Sequence, residues 1–121
     1  MDLEKLIENA WVDRAKLNEK EVILAIKTVV DDLAIGRRRI AEPVNGIWQV
    51  NEWLKKAVIL YFPLMKMQLI EVGPFQFHDK IKLKSGYDLL GVRVVPHAVA
   101  RYGSFISKDC ILMPSYVNIG A

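Results

Sequence analysis

The sequence is poor in cysteine, in long apolar runs and in charge of one sign. Cys110 is the single cysteine among 121 residues, so no disulfide can form within the chain, and no His or second Cys stands near it at metal-ligand spacing. We therefore expect Cys110 to be a small buried residue. The longest apolar run, residues 57–62, is too short to cross a bilayer, and the N-terminus lacks the basic and then apolar pattern of a secretory leader. These absences predict a cytoplasmic protein with no membrane span and no metal site at Cys110.

The charge of the chain is nearly balanced, with a formal net charge of +3 and an isoelectric point near 9.0. Its one concentrated basic stretch, Arg37-Arg38-Arg39, follows Gly36, where a helix is expected to end, and cations at that position stabilise the negative end of the helix dipole. We interpret the triplet as a solvated helix end. The alternative is a small non-enzymatic binding domain that takes phosphate or nucleic acid through these arginines, although no recognised nucleic-acid motif accompanies them.

Two stretches near the N-terminus have the apolar spacing of amphipathic helices. The first has its apolar positions three and four residues apart, at Leu3, Leu6, Ile7, Ala10 and Trp11. The second is predicted over residues 19–34, because Asn18 and Glu21 have the spacing of a capping box and Gly36 supplies the stop. Its apolar stripe consists of Val22, Ala25, Ile26, Val29, Val30 and Leu33. Both stripes must pack against other elements, which predicts a helical core.

The segment after the second helix has the pattern of a β-hairpin followed by a third helix. Asn45-Gly46, two residues that tolerate positive φ, separates two apolar stretches, and Pro43 must then lie on a strand edge. Residues 51–62 are predicted to form a largely buried helix that ends at Pro63.

Two lysines of the third predicted helix are candidate catalytic amines. Lys55 and Lys56 fall on the side of the helix that its apolar residues leave to solvent. We interpret both as surface lysines, because nothing in the sequence marks either for catalysis.

Residues 64–92 are expected to be a connecting region with one or two short strands, punctuated by turns. Within it, His78 precedes Asp79, and a histidine beside an aspartate suggests acid–base chemistry. Neighbours in sequence seldom face each other, and no nucleophile is in view. We therefore interpret His78 as a surface or structural residue.

From Val94 onward the sequence repeats with a period of six. Aliphatic residues open the first four hexads, at Val94, Ala100, Ile106 and Leu112. The fifth position of a hexad is usually small, although Tyr116 departs from this rule, as Asn118 does at a first position. A parallel β-helix with hexapeptide rungs requires such a pattern, with an inward aliphatic side chain and a small residue at the corner. The period predicts that the four aliphatic side chains stack inside a triangular coil that starts beside Arg93.

Three strings give the chain its resemblance to a known family: Trp-Leu-Lys-Lys-Ala-Val at 53–58, Arg-Val-Val-Pro at 93–96, and Leu-Met-Pro-Ser-Tyr-Val-Asn-Ile-Gly-Ala at 112–121. Together with the two preceding helices, they make residues 1–121 resemble the N-terminal part of the tetrahydrodipicolinate N-succinyltransferases. His97 departs from the pattern, since relatives commonly have a second proline there, and residues 64–92 match poorly apart from 77–80.

The resemblance implies a two-part fold. Residues 1–92 are expected to form an α+β N-terminal domain, with helices and a β-hairpin. Residues 93–121 are expected to form the first rungs of a left-handed parallel β-helix of the hexapeptide-repeat acyltransferase type, truncated after they begin.

The resemblance also implies an acyltransferase of lysine biosynthesis by the diaminopimelate route. Such enzymes transfer a succinyl group from succinyl-CoA, a co-substrate, to the amine of ring-opened tetrahydrodipicolinate, without a cofactor or metal. By resemblance, Arg93 binds this dicarboxylate, and a planar guanidinium suits that role because it donates two parallel hydrogen bonds to one carboxylate. The catalytic carboxylate and the CoA groove of relatives would fall after Ala121, so no catalytic residue is expected in this chain.

The resemblance further implies a homotrimer with active sites between subunits, and neither nucleic acid nor membrane as a partner. Fewer than five hexads are present, whereas repeat folds need several stacked repeats and a cap. We therefore expect a fragment of a longer protein that is inactive by itself. Another hexapeptide-repeat acyltransferase, acting on a sugar nucleotide or amino acid with acetyl-CoA, is the alternative enzyme, because the hexads alone would permit it.

Overall fold

The computed structural model describes residues 1–121 and places three helices around one core. Helix α1 spans Leu3–Val12, α2 spans Lys20–Ala34, α3 spans Glu52–Leu64, and a short 3-10 helix, Arg14–Asn18, joins α1 to α2. The predicted apolar stripes of α1 and α2 are confirmed, because they supply much of this core. The buried members of the helical core are Ile7, Ala10, Val22, Ile26, Val29, Val30, Leu33, Leu54, Ala57, Val58, Leu60, Tyr61, Ile81 and Ile119.

The start of α2 differs from the predicted capping box. Glu19, not Asn18, is the N-cap, and it makes no side-chain capping bond. The Asn18 amide instead donates to the Ala15 carbonyl oxygen at 3.3 Å. The physical reason lies upstream: the Asp13 carboxylate accepts a hydrogen bond from the Ala15 N–H at 3.2 Å and caps the 3-10 helix. Asn18 is therefore the end of one helical turn instead of the beginning of the next.

The predicted hairpin is confirmed as β1 (Ala41–Val44) and β2 (Ile47–Val50), paired antiparallel. Asn45 has φ +52° and Gly46 has φ +79°, as a two-residue turn with both central residues left-handed requires. The pair is a sheet of two strands, so Pro43 lies on an edge as expected. Asn51 closes the base of the hairpin, since its amide donates to the Arg39 carbonyl and to the Glu42 carboxylate, both at 2.7 Å.

Helix α3 continues to Leu64, so the prediction that Pro63 stops it was wrong by two residues. Proline disturbs the turn that precedes it, and here that turn is the last of the helix, where the Met65 N–H closes onto the Phe62 carbonyl at 3.1 Å. A second hairpin follows, made of β3 (Gln68–Val72) and β4 (Phe75–Asp79). The prediction of one or two short strands within residues 64–92 is confirmed.

The last third of the chain is built from very short strands. After helix α4 (Tyr87–Leu90), β5 (Arg93–Val94) pairs in parallel with β7 (Ile111–Leu112), and β6 (Val99–Ala100) pairs in parallel with β8 (Tyr116–Val117). Arg93 lies beside Ile111, eighteen positions farther along, and Val99 lies beside Tyr116, seventeen positions farther along. The chain thus returns alongside itself after about three hexads; we call residues 93–121 the coil segment.

The four aliphatic residues that open the hexads meet in one cluster, as the period of six predicts. Ala100 and Ile106 are buried in it with Val92, and Val94 and Leu112 pack against it from the rim. Asn118, which departs from the aliphatic pattern, is exposed.

The coil segment is joined to the helices through backbone, apolar and charged contacts. The Lys84 N–H donates to the Ala100 carbonyl, and the Tyr102 N–H donates to the Lys82 carbonyl, each at 2.9 Å. Ile119 belongs to the helical core. The Lys84 ammonium is buried and donates to the carbonyl oxygens of Ala34 and Ser104, both at 2.8 Å. Burial lowers the pKa of this ammonium, so its two oxygen partners offset only part of the desolvation cost.

No helix of the chain combines the length and the apolar character that crossing a membrane requires.

Candidate functional site

Arg93 occupies an outward position at the first strand of the coil segment. The Arg93 N–H donates to the Cys110 carbonyl at 3.0 Å, and Arg93 lies opposite Ile111 in the parallel pair of β5 and β7. This pairing fixes the position of the Arg93 Cα atom. Val94, the next residue, points into the cluster, and the alternation of a strand sends the Arg93 side chain the other way. The side chain is exposed and forms no ion pair with any carboxylate of the chain. Its guanidinium is free to receive an anionic ligand.

An apolar groove lies beside the strand that carries Arg93, between the second hairpin and the coil segment. Its volume is about 560 Å³. His97 lies on the groove wall and packs edge to face on Phe75, with 5.5 Å between ring centroids. The lining residues are Val72, Phe75, Phe77, Leu83, Val94, Pro96, His97, Ala98 and Val99.

The other sequence candidates do not join Arg93. Lys55 is exposed, and Lys56 donates to the Glu8 carboxylate at 2.8 Å, which ties α3 to α1. His78 is exposed on β4, and its neighbour Asp79 pairs with Arg101 at 2.9 Å instead of orienting the imidazole. The interpretation of these lysines and this histidine as surface residues agrees with their positions.

The arginine triplet lies just after the end of α2. The buried Asp32 carboxylate accepts from Arg37 at 2.6 Å and from Arg38 at 2.9 Å, and the Arg39 guanidinium lies 5.1 Å from the centre of the Phe105 ring. The interpretation as a helix end is confirmed. Arg37 is exposed as predicted, whereas Arg38 and Arg39 are half-buried. The sequence could not show that Asp32 is turned toward the triplet.

The expectation that Cys110 is buried was wrong, since its side chain is exposed. Cys110 holds the fifth position of its hexad, which a small residue suits, but no other element of the chain covers that corner of the coil.

A second group of polar side chains, which the sequence did not indicate, lies elsewhere in the structure. It lines a cleft of about 620 Å³ between α2, the end of α3, the second hairpin and residues 80–83. The Tyr102 hydroxyl donates a short hydrogen bond to the Asp31 carboxylate, and Tyr61 lies nearby. Burial, the bond to Asp31 and the nearby negative charge together raise the pKa of Tyr102. The partners are 71 positions apart, so neither periodicity nor a local motif could have identified them.

The raised pKa of Tyr102 predicts an alkaline loss of stability. In the unfolded chain this phenol ionises near its ordinary pKa of 10.0, whereas the folded chain keeps the proton to higher pH. The folded state then binds more protons, so the free energy of unfolding falls as pH rises above 10, by at most about 1.4 kcal/mol per pH unit from this group. Tyr102→Phe should be less stable at pH 8, and its deficit should shrink between pH 10 and 11 in urea unfolding. A deficit that stays constant over that range would contradict the prediction.

Comparison with known proteins gives a consistent result. A family model described as the N-terminal part of tetrahydrodipicolinate N-succinyltransferase matches residues 2–64. Two relatives are named 2,3,4,5-tetrahydropyridine-2,6-dicarboxylate N-succinyltransferase. The one from Legionella pneumophila (strain Corby) is 46% identical over 98% of the chain. The one from Pseudoalteromonas translucida is 45% identical over 99% of the chain. The protein of that name from Bordetella pertussis is 46% identical over 99%.

The chain spans about half the length of these curated relatives, with 47% of the Legionella protein and 48% of the Bordetella protein covered. The match thus extends beyond the helices into the second hairpin and the coil segment. On this evidence, the chain belongs to the tetrahydrodipicolinate N-succinyltransferase family, of which it represents the N-terminal half.

Proposed function

We propose that this chain is the N-terminal half of an enzyme that transfers a succinyl group from succinyl-CoA to the amine of ring-opened tetrahydrodipicolinate, a step of diaminopimelate and lysine biosynthesis. The observation that carries the proposal is the identity of about 46%, over nearly the whole chain, to relatives that bear this enzyme name. In the reaction, the amine nitrogen bonds to the thioester carbonyl carbon, the carbon–sulfur bond breaks, and the amine proton is lost while CoA leaves as the thiol.

Arg93 is proposed to bind a carboxylate of the acceptor. Its guanidinium is exposed, carries no intramolecular ion pair, and is anchored by a strand whose backbone is paired on one side. Such an arginine contributes positioning, which converts the attack on the thioester into an effectively intramolecular step. The carboxylate that deprotonates the amine, and the groove for CoA, are assigned by resemblance to the half of the relatives that this chain does not cover. No cofactor or metal is proposed.

The coil segment is proposed to be the beginning of a left-handed β-helix, with the domain division between residues 92 and 93. The return of the chain after about eighteen residues, in parallel, supports three hexads per turn. The inward position of the hexad-opening side chains supports it as well. A homotrimer in the cytoplasm, with active sites between subunits and no nucleic acid or membrane as partner, completes the proposal by family resemblance.

The proposal can be tested with a chimeric enzyme in which residues 1–121 replace the matching N-terminal half of the Legionella relative. We expect the chimera to release CoA from succinyl-CoA in the presence of tetrahydrodipicolinate, and residues 1–121 alone to release none. The same chimera assayed with acetyl-CoA and an amino acid or sugar nucleotide tests the alternative acyltransferase. A chimera that folds and assembles like the relative but releases no CoA would contradict the proposal, as would turnover by residues 1–121 alone.

A further inference from the structure

The first hairpin, made of β1 and β2, has one face that consists only of apolar side chains. Strand alternation places Ala41, Pro43, Trp48 and Val50 on this face, since Ala41 lies opposite Val50 and Pro43 lies opposite Trp48. All four residues are exposed, Trp48 by 73% and Val50 by 52%. A two-stranded hairpin is at best marginally stable in water without further packing. We call these four residues the apolar hairpin face.

The polar side chains of the hairpin lie on its opposite face, where they bond to one another. The Gln49 amide donates to the Asn51 side-chain oxygen at 2.9 Å, and the Asn51 amide donates to the Glu42 carboxylate at 2.7 Å. Glu42 is the one charged residue among residues 41–50. Strands that stay exposed usually carry lysines or other charges that prevent pairing with further chains. The apolar hairpin face has no such charge, which indicates a surface that another part of the protein covers.

The hairpin starts beside the second turn of the coil segment. The Arg39 guanidinium lies 5.1 Å from the centre of the Phe105 ring, which belongs to the first turn. The next residue, Ile40, lies against Gly120 of the second turn, since a Cβ added to Gly120 would be 2.6 Å from the Ile40 Cδ1 atom. The two turns are bonded there, because the Gly120 N–H donates to the Gly103 carbonyl at 3.0 Å. The chain therefore passes from the first turn to the second as it enters the hairpin.

Residues that follow Ala121 start beside the base of the hairpin, because the Ala121 carbonyl accepts from the Phe105 N–H at 2.9 Å. The hairpin has four residue pairs and is about 13 Å long, which equals the height of about two to three further turns at ~4.8 Å each. The chain covers 47% of the Legionella relative, so a segment of similar length is tethered at this point. Tethering raises the effective concentration of that segment above that of a separate partner.

We propose that the apolar hairpin face packs on the segment that follows Ala121, the next turns of the coil segment, and so joins the N-terminal domain to the second half of the enzyme. The occupant is a part of the same polypeptide that presents aliphatic or aromatic side chains, because burial of apolar surface is what stabilises an uncharged face. Trp48 contributes most, since its ring has the largest apolar area on the face. The inference rests on the proposed function only in taking the coil segment as the start of a longer β-helix.

A photo-cross-linker in place of Trp48 tests the inference in the chimeric enzyme. p-Benzoylphenylalanine at this position keeps an aromatic side chain, and irradiation links it to groups in contact. We expect a cross-link within one polypeptide, from position 48 to a peptide of the Legionella half, with the mass of a single chain on a denaturing gel. The same cross-linker in place of Val12, which is 85% exposed at the end of α1, should form no such link. A cross-linked dimer would mean that a second copy covers the face, and it would overturn the proposal, as would links confined to residues 1–121 or no link at all.

Hydrogen exchange of the same chimera provides a second measurement. The amides of residues 41–50 should exchange at least about tenfold faster in Trp48→Ser than in the parent, because the hairpin then loses its cover and opens locally. Val12→Ser is the matched control and should change these rates by less than about twofold. Equal rates in the parent and in Trp48→Ser would refute the contact.

Release of CoA by the parent chimera separates this inference from the proposed function. An inactive chimera that cross-links within one chain would contradict the function and support the contact. An active chimera without that cross-link would support the function and refute the contact.

Discussion

Replacing Arg93 with methionine in the chimeric enzyme is expected to lower kcat/KM for the dicarboxylate acceptor by about 10- to 100-fold. Methionine keeps an unbranched apolar stem and removes the two parallel donors. Charge-assisted hydrogen bonds of this kind contribute about 1.5–3 kcal/mol, which corresponds to that range of rate. Because the guanidinium makes no ion pair inside the chain, the thermal midpoint should change little. The KM for the acceptor should rise most, whereas the KM for succinyl-CoA should be unaffected.

Two variants accompany this experiment. Arg93→Lys keeps the charge and loses the planar fork, so it should fall between the parent and Arg93→Met. Arg14→Met is the matched control, because Arg14 is also exposed and lies over Trp11 at 4.6 Å, on the helical side of the molecule. If Arg93→Met retains the acceptor KM of the parent, or if Arg14→Met loses as much activity, the assignment of Arg93 to substrate binding is wrong.

Replacing Gly36 with alanine is expected to destabilise the chain by about 2–5 kcal/mol. Gly36 has φ +74°, a left-handed conformation that costs any residue with a Cβ about 1–2 kcal/mol. A Cβ at this position would also lie 2.8 Å from two carbons of the Phe105 ring, and overpacking of this kind costs about 1–3 kcal/mol more. Urea unfolding should show the loss as a lower midpoint at an unchanged slope.

Gly86 supplies an internal control for the backbone part of that loss. It has φ +75°, nearly the value at Gly36, and a Cβ there would meet no atom within 4 Å. Gly86→Ala should therefore cost only the conformational part, about 1–2 kcal/mol. The difference between the two variants measures the contact of the α2 end with Phe105 of the coil segment. Equal losses would mean that the ring moves aside freely and that this contact does not hold the two parts together.

The sequence predicted the elements whose information is local. The stripes of α1 and α2 and the Asn45-Gly46 turn depend on residues a few positions apart, and all three are as predicted. The errors arose where a neighbouring group competed. Asp13 caps a 3-10 helix that includes Asn18, so Asn18 does not cap α2. The turn before Pro63 is the last turn of α3, so the proline does not end the helix early. Propensity rules assign each residue its preferred role and do not include such competition.

The candidate site was predictable only in part. Arg93 was identified from a string of family residues, and its exposure agrees with the proposed role without testing it. The Asp31–Tyr102 pair, the Asp79–Arg101 pair and the burial of Lys84 were not predicted, because each joins residues far apart in sequence. Long-range polar contacts depend on the angle at which whole elements cross, which a one-dimensional pattern does not contain.

The Lys84 ammonium has a mechanical consequence. The buried Lys84 ammonium donates to the Ala34 carbonyl at the end of α2 and to the Ser104 carbonyl in the coil segment, each at 2.8 Å. Sliding one part past the other would strip a cation of its oxygen partners before water could replace them, at a cost of several kcal/mol. The contact at Lys84 is therefore rigid. We expect α2 and the coil segment, including the strand that carries Arg93, to move as one body.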